Sequence, residues 1–244
     1  MSAGSLDRAF DTPATKRRHV RQLFVTIADR YDLITRILSY GMDAGWKRRL
    51  VALAVVRPGE RALDLASGTG DVAFGLTHAG ARVVGLDITH RMLQLARQRA
   101  VTGGHTAPVR WTVGDMAVLP CASAAFTLVT TSYGLRNVPD LDSAIDEIVR
   151  VLAPGGRFLS LDFNRPSNAL VRAIYLSYLT ATGAILGWVL HSDADTYRYI
   201  PASIRRYPGA EAVAARLAAR GLVKVRVIPL LFGLMTIHVA RRPQ

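Results

Sequence analysis

Three short stretches of this chain put carboxylates where a nucleoside ligand needs them. Arg61-Ala-Leu-Asp-Leu-Ala-Ser-Gly-Thr-Gly-Asp71 runs as an apolar strand into a glycine turn, with acids at Asp64 and Asp71. A second apolar run, Arg82-Val-Val-Gly-Leu-Asp87, ends in Asp87, and a third, Val109-Arg-Trp-Thr-Val113, leads into Gly114-Asp115-Met116. Gly68 and Gly70 let the backbone approach a ligand, and an acid closing the second strand accepts hydrogen bonds from ribose hydroxyls. The chemistry implied is the grip of an adenosine-containing cofactor.

Gly68-Thr-Gly70-Asp-Val-Ala73 also fits the G-x-G-x-x-G/A pattern of dinucleotide folds, a weak signal alone. Three features favour S-adenosylmethionine (SAM) over NAD. Asp64 lies where a carboxylate can take the ammonium of a methionine moiety but has no use beside a pyrophosphate. Asp115 can read an adenine amino group. No second glycine motif follows for another nucleotide half. The plain alternative for Gly68 and Gly70 is a tight βα turn, and for Asp87 a helix N-cap.

These residues need a frame, and hydrophobic periodicity supplies it. A basic amphipathic helix is expected over 16–38 and a second from about 46. Strands at 61–65, 82–87, 109–113, 125–131 and 157–163 alternate with helices at 71–79, 90–101 and 140–152, the last stopped by Pro154-Gly155-Gly156. Helical material spans about 167–190, then a loop holds Tyr197 and Tyr199. A helix at 209–220 precedes an antiparallel pair, 222–229 and 234–240. The alternation specifies an α/β fold, a mostly parallel seven-stranded sheet with helices on both faces: a class I SAM-dependent methyltransferase Rossmann-like domain with an N-terminal helical cap and a helical lid insert. It divides into a cap (16–56), a cofactor-binding core (60–165), a lid or substrate insert (166–207) and a C-terminal helix with strand pair (208–241).

At 244 residues with 50% hydrophobic content, the chain can bury a full core. Its lone cysteine, Cys121, excludes an intrachain disulfide framework and fits a reducing cytoplasm. No metal-ligand spacing appears. Met1 to Asp11 has no apolar segment of signal-peptide type. Of the net charge of +13, residues 205–244 carry eight Lys or Arg against Glu211 alone, a patch suited to nucleic acid or to an anionic membrane. The run Ala173 to Leu190 is 18 residues without a charge, at the lower limit for a membrane span. Because it falls between two sheet strands and contains Ser177, Thr180, Thr182, Gly183 and Gly187, it reads as lid or pocket wall.

Nearly end to end, the chain resembles the quinone C-methyltransferases of ubiquinone and menaquinone biosynthesis, the UbiE/MenG family. Phe24-x-x-Ile-Ala-x-x-Tyr31-Asp32, Leu38-Ser-x-Gly41, Trp46-Lys47, the glycine motif and Gly85-Leu-Asp-x-x-x-x-Met-Leu93 carry the resemblance. So do the narrower Ser132-Tyr-Gly-Leu-Arg-Asn-Val138, Arg150-Val-Leu-x-Pro-Gly-Gly156, Asp193-Ala-Asp-x-Tyr-Arg-Tyr199, Ser203-Ile204 and Ile237-His238. It departs from the family at Thr35, Cys121, Leu161-Asp162-Phe163 with Asn164-Arg165-Pro166, and Phe232-Gly233. The last two lie where substrate can sit and bear on which quinone is used.

The resemblance implies transfer of the SAM methyl to a ring carbon of a lipophilic polyprenyl quinol, with demethylmenaquinol favoured and a methoxy-benzoquinol or dual specificity as the alternative. It implies cofactor contacts from Thr69, Asp87, Asp115, Met116 and Ser132, beside Asp64, Gly68 and Gly70. Arg136 and Asn137 can donate to a developing quinolate oxygen, Asp162 can act as base, and Tyr197 and Tyr199 can wall the ring. His191 and His238 are weaker acceptors of a proton. A cytoplasmic enzyme docked peripherally on the inner face of an anionic membrane follows, with the basic C-terminal region and the helix at 16–38 as contacts and Arg216 and Arg220 on one helix face. A homo-oligomer is compatible. A nucleic-acid partner is not expected, since Ser132-Tyr-Gly-Leu lacks the proline motif that stacks a flipped base. Another small-molecule methyltransferase and a non-catalytic scaffold are the remaining alternatives.

Overall fold

The computed structural model describes residues 3–105, 108–193 and 195–244. Its centre is one sheet of seven strands: β1 (Arg61–Leu65), β2 (Arg82–Asp87), β3 (Arg110–Val113), β4 (Phe126–Ser132), β5 (Leu152–Phe163), β6 (Val223–Leu230) and β7 (Met235–Arg241). The spatial order is β3-β2-β1-β4-β5-β7-β6. The first five run parallel, and β7 is antiparallel to both β5 and β6. This is the class I methyltransferase architecture that the alternation predicts.

The central strands are apolar on both sides because both sides are covered. Leu63 and Leu65 pack with Ile145 and Ile148 of α7 (Leu141–Val151) and Leu217 of α10 (Ala210–Ala219). On the other face Ala62 and Leu128 pack with Leu50 of α4 (Asp43–Ala54) and Leu76 of α5 (Asp71–His78). Asp140 caps α7 by accepting the Asp142 and Ser143 N–H groups. The order reverses between β1 and β4, so a crevice opens at their carboxyl ends, flanked by α6 (His90–Thr102).

A short helix, α1 (Ala3–Arg8), leads the chain, and three expectations shift. The helix expected at 16–38 is two, α2 (Pro13–Ile27) and α3 (Tyr31–Leu38), joined by a 3-10 turn at 28–30 that turns Tyr31 and Asp32 toward the glycine loop. β5 begins at Leu152, directly after α7, and not at 157. Leu152 pairs with Phe126, and Pro154-Gly155-Gly156 is a bulge inside the strand before pairing resumes at Leu128 and Arg157. The loop around Tyr199 is a helix, α9 (Tyr199–Arg206), in which Pro201 sits in the first turn where its missing N–H costs nothing. The apolar run becomes α8 (Ala169–His191), capped by Asn168 and packed through Tyr175, Leu176, Leu179 and Leu186. It is long and apolar enough to cross a membrane by length and composition, yet its inner face is part of the core.

Candidate functional site

The crevice beside β1 and β4 is built from three strand-to-helix turns. Gly68 (φ +53°) and Gly70 (φ +95°) lie in the left-handed region. A Cβ on Gly70 would come within 3 Å of both Phe74 and Trp111, so only glycine fits there. Asp87, at the end of β2, lines the cleft. Its Oδ2 accepts the Gly68 N–H at 2.9 Å and its Oδ1 the Thr89 N–H at 2.8 Å. Burial pushes its pKa up against those two bonds. An ionised carboxylate has about four acceptor sites, so two remain for ribose hydroxyls. Gly114, Asp115, Met116 and Ser132 line the same cleft. Its roof is α2: Val20 and Phe24 face inward, and Arg17 Nε lies 2.6 Å from Asp115 Oδ2.

Two expected contacts lie elsewhere. Asp64 does not line the cleft. It is almost wholly buried and accepts the Thr130 hydroxyl at 2.7 Å, while its Oδ2 has no partner among the described residues. Burial raises its pKa to about 7, against the help of Thr130 and Lys47. Thr69 is turned away as well, donating its hydroxyl to Asp32 at 2.7 Å and thereby fastening the glycine loop to α3.

Sequence reasoning missed the ion network behind this loop. Lys47 bridges Asp43 (2.7 Å) and Asp71 (2.9 Å), and Arg99 reaches Asp71 at 2.7 Å. Asp43 accepts the Tyr133 hydroxyl at 2.5 Å, which fixes a residue held at φ +59° after β4. The signal was present in Trp46-Lys47 and Tyr31-Asp32, which resemble the family, but no chemistry attached to them. Lys16 was missed too: its Nζ donates to the Arg136 carbonyl at 3.2 Å, and burial with Arg136 nearby lowers its pKa to about 8.

Against the cleft lies a second cavity of about 160 Å³, bounded by α2, α3, α8, α9 and the β6–β7 turn. The two share Phe24, Tyr31, Tyr133 and Asn137. The chamber wall is apolar except at one corner. There Arg136, 5% exposed, donates its backbone N–H to Asp162 Oδ2 at 3.0 Å and pairs through Nε with Asp162 Oδ1 at 3.4 Å. A terminal guanidinium nitrogen donates to the Ser203 hydroxyl, and the group lies 5.0 Å from the Phe163 ring centroid. Arg136 lines the chamber; Asp162 does not, and its oxygens are taken by Arg136 and the Phe163 N–H. Burial raises the Asp162 pKa and Arg136 opposes that rise. The geometry makes Asp162 the group that orients Arg136.

Asn137 Oδ1 and the Tyr199 hydroxyl are buried without partners among the described residues, and both residues line the chamber. Tyr197 also lines it, with its hydroxyl 2.9 Å from His191 Nε2. His238 is locked between Ser160 Oγ and the Ala210 carbonyl, away from the chamber.

A family model, the ubiE/COQ5 methyltransferase family, matches residues 12–242. The chain is 42% identical to a demethylmenaquinone methyltransferase of Thermus thermophilus, over 91% of this chain and 100% of that one. It is 36% identical to a ubiquinone/menaquinone biosynthesis C-methyltransferase of Azotobacter vinelandii, over 93% and 91%. Among solved structures, a SAM-dependent methyltransferase of Thermotoga maritima described as a possible histamine N-methyltransferase superposes with a TM-score of 0.65, at 16% identity over 91% and 99% of the two chains. That last likeness is one of fold.

Proposed function

This chain belongs to the ubiE/COQ5 methyltransferase family, and we propose that it methylates a ring carbon of a prenylated quinol, with a naphthoquinol of the demethylmenaquinol type as first substrate. It is a SAM-dependent methyltransferase. The observation that carries the substrate reading is the shared wall: a cleft that bears Asp87 and Asp115 and is suited to SAM shares Phe24, Tyr31, Tyr133 and Asn137 with an apolar chamber that has one cationic corner.

The residues around the cleft fit SAM. Asp87 keeps free acceptor sites for ribose, Asp115 and Met116 stand where an adenine edge and face would lie, and the glycines leave room for close approach. SAM, when bound, supplies a methyl group on a positively charged sulfur.

The chain supplies the rest. An aromatic carbon becomes nucleophilic when an adjacent hydroxyl loses its proton, so the site must favour a ring oxyanion. Arg136, held rigid by Asp162 and Ser203, presents fixed positive charge in a dry chamber, where it is worth more than in water. The buried Tyr199 hydroxyl, its pKa raised by burial, stays a neutral donor for the same oxygen. Phe24 and Tyr133 exclude water between the cavities.

A methoxy-benzoquinol, alone or as a second substrate, is the other reading, favoured by the name of the Azotobacter relative. Methyl transfer from labelled SAM to short-tailed demethylmenaquinol and methoxy-benzoquinol, both reduced, tests the pair beside an RNA control. Label in the naphthoquinol ring is the expected result, and label in both means dual specificity. Label confined to RNA, or none while SAM still binds, overturns the proposal.

A further inference from the structure

The outer face of α8 has no protein among the described residues to cover it, although its exposed stripe carries no charge and is mostly apolar. Leu170, Ile174, Ile185 and Trp188 fall on one exposed stripe with Ser177 and Ala181 between them, and none of the six carries a charge. Trp188 is 70% exposed. Beside it α3 turns Leu33 and Ile37 outward, and Tyr40, just past its end, is exposed too, while Ile34 and Leu38 face the chamber. The rings of Tyr40 and Tyr178 stack at 5.5 Å, tying α8 to the turn after α3 at the chamber wall. The β6–β7 turn adds Phe232, 98% exposed, next to Leu231 of the same wall. Three separate elements thus place bare apolar side chains around one cavity, more than the scattered exposure of a monomer surface.

Charge frames this patch. Arg165 precedes the start of α8, Arg36 lies within the α3 stripe, and Arg30 acts electrostatically on His191 at the far end of α8. All three are exposed and in no ion pair among the described residues. Nearby carboxylates are engaged: Asp29 with Arg91, Asp32 with Arg99. On the C-terminal face, Arg216 and Arg220 share a helix face as expected and both pair with Asp142, Arg220 also with Asp146.

We infer that the α3–α8 face with Phe232 is a docking surface for an anionic lipid bilayer, seating the mouth of the chamber against the acyl layer so that a lipid-tailed substrate enters without crossing water. An apolar stripe framed by arginines, with a tryptophan at its edge, is what an interfacial helix presents to headgroups. The purpose given to the surface rests on the quinol reading; the surface itself does not.

The test uses the full chain, vesicles of phosphatidylcholine with and without phosphatidylglycerol, and tryptophan emission. Binding to the anionic vesicles is expected, with a blue shift lost in Trp188→Phe. The pair Ile185→Ser and Phe232→Ser, both at exposed sites, should weaken partition at least about 10-fold and leave SAM affinity unchanged. Arg30→Gln with Arg36→Gln should weaken it at low salt and matter little at high salt. Partition unaltered by the apolar pair overturns the inference. So does a wild-type chain that ignores vesicles and forms a dimer which the same pair dissolves, since the occupant is then a second copy. If partition falls in the variants but no quinol is ever methylated, the surface stands and the substrate reading fails; methylation of a short-tailed quinol with partition unaltered is the reverse.

Discussion

The cofactor cleft draws its polar groups from the turns after β1, β2 and β3 and the end of β4, each a few residues long, whereas the chamber beside it collects side chains from both ends of the chain. The cleft grips through backbone geometry and a carboxylate at a strand end. The chamber offers few polar groups, Arg136 with Asn137 Oδ1 and the Tyr199 hydroxyl left unpartnered among the described residues, and its remaining work is to exclude water. Substitutions should therefore separate into two kinds, those that move SAM affinity and those that move turnover. A comparison of Arg136 with Asp87 is the sharpest way to ask whether they do.

Arg136→Lys carries the largest expected effect. A lysine keeps the charge opposite buried Asp162 but cannot hold Asp162, Ser203 and a ring oxygen from one rigid fork. Loss of an aligned donor to a developing oxyanion costs about 10²–10³ in kcat, while SAM affinity by calorimetry should hold. If SAM affinity falls in step, the division between cleft and chamber is wrong. Asp87→Ala comes next and should behave in reverse. It removes the ribose acceptor and unties the Gly68 N–H; with charged hydrogen bonds worth about 1.5–3 kcal/mol each, SAM binding should weaken about 10²-fold. Turnover at saturating SAM should stay near wild type.

The same contrast explains what could be read from sequence. The cleft was legible because its groups follow apolar strands at short range: Gly68, Asp87, Asp115, Met116 and Ser132 line it, and Gly70 shapes the turn. The parallel sheet with its antiparallel final pair followed from alternation for the same reason. Thr69 and Asp64 stand off the cleft lining, which spacing could not show, since it cannot tell the inner side of a turn from the outer; one holds Asp32 and the other Thr130. In the chamber, resemblance marked Arg136 and Asn137, but periodicity could not show that Asp162 would spend its oxygens on Arg136, since the two meet only through the pairing of β4 with β5. Lys47 and Asp43 of α4 reach Asp71 of α5 and Tyr133 after β4, contacts no local pattern records. The charge count of the C-terminal region could not show that α7 carboxylates lie against Arg216 and Arg220.

Asp64 sharpens the comparison at smaller scale, since it belongs to the cleft's motif yet is buried like a chamber residue. Its folded carboxyl titrates near 7 against a usual 3.8, so between those values the folded chain holds a proton that the unfolded chain has released. Stability must then fall as pH rises through that window and level off above about 7. Asp64→Asn keeps an acceptor for Thr130 and carries no charge. The variant should gain stability at pH 8, on the order of 1–3 kcal/mol, with no gain at pH 4. Denaturant melts at both values, taken as the difference from wild type, isolate this residue from Asp87 and Asp162, which burial shifts in the same direction. A variant destabilised equally at both values would mean that the carboxylate is needed for its shape and not tolerated despite its charge.

The smallest effect is expected where the two regions are joined. α2 walls the chamber through Leu23 and Phe24, yet closes over the cleft through Arg17 on Asp115. Arg17 is about half exposed, with its side chain at 46%, and an exposed pair of this kind is worth at most about 1 kcal/mol and less in salt. Arg17→Met should therefore weaken SAM binding no more than about five-fold, and the loss should shrink as salt is raised. Its effect on rates is more telling, because a roof that lifts more readily speeds SAM dissociation without changing the contacts SAM makes. Stopped-flow measurement should place nearly all of the change in the off-rate and leave the on-rate alone. If Arg17→Met also lowers turnover at saturating SAM, α2 transmits its position to the Arg136 corner, where Lys16 already holds the Arg136 carbonyl. The cleft and chamber would then act as one site closed by one helix, and the separation argued from Arg136 and Asp87 would hold only while that helix is down.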